Sequence, residues 1–173
     1  MNIADVLRLH VATSEQEEAD RCAMLQLLGE LEHPTSRDQL TAHFTASAFV
    51  VDEAGERMCL VAHAKLQRLL QPGGHLEPMD VSLEAGALRE AAEETGLEVD
   101  LHPTAPRPFD LDIHRIPERP GEPEHFHLDV RYLVIGRGEP GEGAAWYPLG
   151  EEGDGSVARL VEKMLSLRDP APS

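Results

Sequence analysis

Three glutamates, Glu90, Glu93 and Glu94, stand at i, i+3 and i+4 in the run SLEAGALREAAEETG. On a helix that spacing gathers all three carboxylates on one face, where each like-charge pair costs about 0.2–0.5 kcal/mol. Glu93 and Glu94 also fall in the last turn before Gly96. The helix dipole is negative there, which adds about 0.3–1 kcal/mol against each. Arg89, four residues before Glu93, is the local compensating charge. Such a patch is poor helix engineering unless a cation binds it, and its oxygen donors suit a hard dication such as Mg²⁺ or Mn²⁺. The competing account is a solvated acidic face in an acidic protein. Just upstream, Gly73-Gly74 makes a turn that can expose backbone carbonyls and let the chain pass close to a ligand.

A second set is His114, His125, His127 and Asp129. His125, His127 and Asp129 alternate along one predicted strand, so they share a face. Such a group can bind Zn²⁺ or another transition metal, touch a phosphate or hydroxyl of a substrate, or simply form a polar strand face. Arg131 continues that face, toward a phosphate or neighbouring acids. His63 and His75 read as polar loop residues. Lys65, one of two lysines, precedes the glycine turn and is a candidate phosphate contact, whereas Arg68 reads as surface neutralisation. Phe109, Phe126, Tyr132 and Trp146 are core candidates.

The elements that must position these groups follow from periodicity and turn signals. Two helices are predicted over 2–12 and 14–32, the second capped by Ser14 with Glu17 three residues on. Met24, Leu25, Leu27, Leu28 and Leu31 give it an apolar stripe, which packs either on the same chain or on a second copy, as a homodimer. A short helix is expected at SRDQL. A β-hairpin follows, with strands over 41–51 and 56–63, then a loop over 69–74 and the acid-bearing helix over 82–95. Further strands are expected over 97–102, 109–116, 125–135 and 146–149, and a last helix over 156–167. The result is one mixed α/β domain with a helical N-terminal extension, divided as 1–40 for the extension, 41–168 for the main domain and 169–173 for a disordered tail.

Composition narrows the function. The 173 residues carry a net charge of −17 and only 4% aromatics. A nucleic-acid binder needs a basic face for counterion release, and none is present. No apolar run approaches the ~20 residues of a membrane helix, and the first residues lack signal-peptide features, so the expected setting is cytoplasmic, with neither nucleic acid nor membrane as partner. An acidic protein that acts on a small polyphosphate needs cations to bring the anions together. Cys22 and Cys59 form no metal-binding spacing.

The stretch from Gly74 to Leu97 resembles the Nudix box, G-x5-E-x7-R-E-U-x-E-E-x-G-U, where U is aliphatic. Arg89-Glu90-Ala91-Ala92-Glu93-Glu94-Thr95-Gly96-Leu97 matches its second half fully. In the first half Asp80 stands where the first glutamate is usual, and one extra residue near Val81-Ser82 precedes the helix. The resemblance implies an α/β/α sandwich with a mixed sheet and a metal-dependent hydrolase that cleaves a diphosphate linkage. Its expected ligands for Mg²⁺ or Mn²⁺ are Glu90, Glu93, Glu94 and the carbonyl of Gly73. Arg89, Glu90 and Glu93 would be the catalytic residues, with Arg89 orienting the glutamates and Glu90 or Glu93 handling the attacking water. Glu122, Glu124, Glu151 and Glu152 are alternative bases, and Lys65, His125 and His127 are the expected substrate contacts. The substrate would be a small nucleoside diphosphate-linked compound. A nucleoside triphosphate, or a bound ligand sensed without cleavage, are the alternatives.

Overall fold

The computed structural model describes residues 1–63 and 67–168. Lys65 and the tail expected to be disordered, 169–173, lie outside the described residues. The chain falls into two compact units. The first comprises Met1–Ser47, Gly73–Ala87 and Pro106–Tyr132, and the second Ala48–Pro72, Leu88–Ala105 and Leu133–Ser173.

The first unit begins with helices α1 (Ile3–Leu9) and α2 (Glu15–Glu30). Ser14 caps α2 as expected, its Oγ accepting the Glu17 N–H at 3.2 Å. The buried face of α2 is not the leucine stripe, however, but Glu17, Asp20 and Met24. Glu17 is buried because its carboxylate is saturated. It accepts the Thr13 N–H at 2.7 Å and the Thr13 hydroxyl at 3.0 Å, meets the His10 ring at 2.7 Å, and accepts the Leu111 N–H at 3.3 Å. A buried carboxylate satisfied this way costs little compared with one left unpaired. The other His10 nitrogen donates to the Pro108 carbonyl at 3.2 Å, so the leading helices are stitched to the same chain. The helix expected at SRDQL is absent. Turns occupy those residues, with the Ser36 hydroxyl accepting the Asp38 N–H, because a serine-led turn satisfies its own backbone without helix.

Strand β1 (Ala42–Val51) is buried along all ten residues. Its first half pairs antiparallel with a short strand that the glycine loop conceals. We take β2 (Arg57–His63), β3 (Arg68–Leu70) and β4 (Gly73–His75) in chain order. In the first unit Thr45 faces His75, Ala46 faces Gly74 and Ser47 faces Gly73. The residues expected to form a loop over 69–74 therefore contribute to two strands. Glycine is required at 73 for space: a Cβ there would lie 2.3 Å from Ser47 Oγ. Helix α3 (Leu83–Thr95) starts in this unit, with Ser82 Oγ accepting the Ala85 N–H at 3.1 Å. After β5 (Glu98–Leu101) come β6 (Asp110–Ile116) and β7 (His125–Arg137). These two pair antiparallel with Asp110 opposite Arg131, Asp112 opposite Asp129 and His114 opposite His127. Phe44, Phe109, Leu111, Leu128 and Val130 are fully buried here.

In the second unit the end of β1 turns through Gly55 (φ 64°) into β2, with Val50 opposite Cys59. β2 also pairs with β3 and with β8 (Ala144–Pro148), and β5 pairs with the end of β7. The last turns of α3 end at Gly96, whose φ of +70° suits the left-handed stop after a helix. Helix α4 (Gly155–Arg168) is capped by Asp154, whose Oδ1 accepts the Ser156 N–H at 2.9 Å. Phe49, Met58, Leu60, Val134, Val157 and Leu160 are buried. The hydrogen-bonded strand order is β3-β2-β1-β7-β5, with β4 on β1, β6 on β7 and β8 on β2. Among the described residues, eight strands and four helices, the first two helices preceding the first strand in sequence, are the α/β class expected.

Candidate active site

The acid face of α3 forms as its spacing requires. Arg89 Nη1 donates to Glu90 Oε1 at 2.9 Å and to Glu93 Oε2 at 3.0 Å. One guanidinium nitrogen thus holds two carboxylates in fixed relation. Glu90 is mostly covered, with 16% of its side chain exposed, whereas Glu93 is 59% exposed. Glu94 is exposed on the same stretch. Three carboxylates against one guanidinium leave two formal negative charges at the negative end of a helix. An all-oxygen donor set of that charge fits a hard dication such as Mg²⁺ or Mn²⁺ and offers no nitrogen or sulfur to favour a softer ion.

The extra residue in the loop before α3 is accommodated by a turn built on Asp80. Its Oδ2 accepts the Glu77 N–H at 2.8 Å. A Cβ on Gly86 would lie 2.5 Å from Leu76 Cδ2 and 3.2 Å from that same Oδ2. Gly73 sits on β4, in the first unit.

The histidines converge in the first unit. His125 and His127 share a strand face as expected. Their partners come from other strands: His114 from β6, His43 from β1 and His75 from β4. The ring centroid of His43 lies 5.0 Å from that of His125, 4.9 Å from His127 and 5.0 Å from His75. That of His114 lies 5.3 Å from His127. His75 is therefore a strand residue of this group rather than a polar loop histidine. Burial first, then neighbouring imidazoles, pushes His127 down to about 2 and His75 down to about 4. Burial likewise lowers His43.

Next along the same hairpin face, Arg131 is consumed by acids rather than held ready for a phosphate. Its Nε, Nη1 and Nη2 donate to Asp129 at 2.8 Å, Asp110 at 3.2 Å and Asp112 at 2.6 Å. Burial alone would lower its pKa, but the three aspartates outweigh that and hold it above its ordinary value. Asp112 and Asp129 face each other across the ladder, a pairing that repels without a cation between. Thr45 and Ser47 hydroxyls donate to Asp129 at 2.9 and 2.8 Å and complete the network.

Among the alternative bases, Glu124 pairs with Arg115 at 2.6 Å, and Glu122 approaches His125 Nε2 at 3.7 Å. Glu151 and Glu152 are exposed ahead of α4. Phe109 and Tyr132 are core residues as expected, whereas Phe126 is 41% exposed. Trp146 is partly exposed, donating its Nε1–H to the Gly138 carbonyl beneath Arg57.

The residues missed by sequence reasoning are His43, Asp110 and Asp112. Asp110, Asp112 and His114 alternate along β6, a signal that period-2 reading could have found. His43 required knowledge of which strands lie beside β4 and β7.

No helix among the described residues is long and apolar enough to cross a membrane. No curated protein matches the chain in sequence. Solved structures do share its fold. A Nudix-family hydrolase from Clostridium perfringens is 24% identical with a TM-score of 0.54, covering 73% of this chain and 98% of its own. An Ap4A hydrolase from C. elegans is 15% identical with a TM-score of 0.51, over 72% and 97%. A UDP-X diphosphatase is 16% identical with a TM-score of 0.50, over 96% and 90%. At these identities the likeness is one of fold, and it bears out the expected architecture. The NUDIX domain family matches residues 41–164, a span that includes the whole acid-bearing helix, and the chain accordingly belongs to that family as a Nudix hydrolase.

Proposed function

We propose that this Nudix hydrolase cleaves the diphosphate linkage of a small nucleoside diphosphate-linked compound, using Mg²⁺ or Mn²⁺. The observation that carries this is the pairing of Arg89 with both Glu90 and Glu93 on α3. Glu90, Glu93 and Glu94 would hold the metal. When bound, a dication neutralises phosphate charge and lowers the pKa of a water bound to it. Arg89 keeps the Glu90 and Glu93 carboxylates aligned. A carboxylate oxygen of Glu90 or Glu93 accepts the proton of the attacking water. Lys65, with His125 and His127, would contact the substrate. Two proteins that share the fold are named for Ap4A and UDP-X, which supports a nucleotide-linked substrate class.

A nucleotide panel assayed with Mg²⁺ and with Mn²⁺, with products identified by mass, tests the reading. Two phosphate-bearing fragments from a diphosphate-linked compound are expected. Release of pyrophosphate from a nucleoside triphosphate alone would replace the substrate class. Failure to cleave any member with either ion would overturn the proposal.

A further inference from the structure

Within the first unit, His43, His125 and His127 bring one ring nitrogen each to a common point, and these three atoms all lie within 4.8 Å of one another. We propose that the three histidines form a second metal site, separate from the α3 carboxylates, that takes a borderline transition-metal ion of the Zn²⁺ class. The inference does not depend on the pyrophosphohydrolase reading.

Ring orientation argues for it. His43 Nδ1 lies 3.1 Å from the Gln39 carbonyl, and His125 Nδ1 lies 2.9 Å from the Pro123 carbonyl. A carbonyl oxygen only accepts, so both Nδ1 atoms carry the proton and both Nε2 atoms are left as lone-pair donors. A backbone acceptor on the far ring nitrogen is what orients metal-binding histidines. His43 is 1% exposed, and among the described residues its Nε2 has no hydrogen-bond partner. A buried lone pair left unsatisfied is costly, and an ion would satisfy it.

The spacing agrees. His125 Nε2 and His127 Nε2 are 3.3 Å apart. Two nitrogens at about 2.0–2.1 Å from a tetrahedral ion are separated by about 3.3–3.4 Å. Without metal, the His127 Nε2–H donates to the His125 lone pair. When metal binds, the His127 proton moves to Nδ1 and its Nε2 turns to the ion. Small rotations of His43 would close the longest separation. His75 packs its ring against His43 and His127 and walls the site. Glu122 lies at its rim, 3.7 Å from His125 Nε2. Three protein ligands leave a fourth position for water or for a phosphate oxygen, the composition of a reactive rather than a purely structural zinc centre. Through that position His125 and His127 would act on a substrate by way of the ion.

The test uses the full chain, stripped with chelator and titrated with Co²⁺ and then Zn²⁺. One Co²⁺ per chain with the intense visible absorption of a four-coordinate nitrogen site, displaced by Zn²⁺, is expected. His43→Gln and His127→Gln should each weaken that binding at least tenfold, while Glu94→Gln leaves it unchanged. Binding with equal strength in both histidine variants, or its loss in Glu94→Gln, overturns the proposal. Should the histidine variants fail to fold, ¹⁵N imidazole spectra of the unsubstituted protein decide it. Zn²⁺ must shift the Nε2 resonances of His43, His125 and His127, leave the Nδ1–H groups of His43 and His125 in place and bring the His127 proton onto its Nδ1; unmoved Nε2 resonances overturn it.

Discussion

Arg131 and Arg89 each hold together more negative charge than they carry, and they do so in opposite surroundings. Arg131, in the first unit, is 2% exposed and gathers three aspartates. Arg89, in the second, gathers Glu90 and Glu93 on a helix face where Glu93 is 59% exposed. Around Arg131 the Asp129 carboxylate also accepts from Thr45 and Ser47, and Asp112 meets the His114 ring. On α3 the Glu93 and Glu94 side chains are exposed, and we propose that this face takes a dication. Burial separates the two ion clusters, one enclosed as scaffold and the other open on a helix face, where the proposed chemistry would take place.

The comparison breaks first at Arg131. Arg131→Met removes the cation from two buried aspartates and a partly buried third, and loss of one partner from a buried ionic group costs about 3–5 kcal/mol. Urea unfolding should show this destabilisation or the variant should not fold; a loss under about 1 kcal/mol would mean the network is not the scaffold described. Glu94→Gln is the counterpart. It should lower turnover by about 100-fold, or about 2.7 kcal/mol, and change stability by no more than about 0.5 kcal/mol, since one like-charge repulsion is relieved. Turnover and melting measured on the same sample check both halves. Ser47→Ala removes a hydroxyl bonded to the Asp129 carboxylate, worth about 1.5–3 kcal/mol, and denaturant midpoints should register it with catalytic constants little altered.

A further expected effect is pH dependence in chelated protein. His127 and His75 are held down to about 2 and about 4 by burial, against about 6.5 in an unfolded chain. Below 6.5 the unfolded state binds more protons, so stability is complete above that pH. It then falls as pH drops, through about 4 for His75 and toward 2 for His127. Each histidine contributes a slope of at most about 1.4 kcal/mol per pH unit. Melting temperatures between pH 7 and 4.5 that do not fall would contradict the burial of these rings.

The α3 acid face was legible because everything that defines it is local: residues three and four apart on a helix meet whatever surrounds them. The strand bearing His125 and His127 was legible for the same reason. What escaped was non-local. Nothing near residue 43 announces that β1 lies beside β4 and β7, so His43 passed as an ordinary strand residue. The leucines of α2 misled because a saturated carboxylate, Glu17, occupies the buried face that hydrophobicity assigns to them. Gly73-Gly74 read as a loop because glycine is a turn signal, whereas the requirement here is close approach to Ser47 within a strand pair.

The Glu17 anchor has a practical corollary for trimming the polypeptide. A shortened version beginning near residue 41 would retain the entire stretch that matches the family, yet it would leave the Leu111 amide without its acceptor and the Pro108 carbonyl without the His10 ring. Expressing the recognisable segment alone therefore exposes a raw flank on β6, where insolubility should begin.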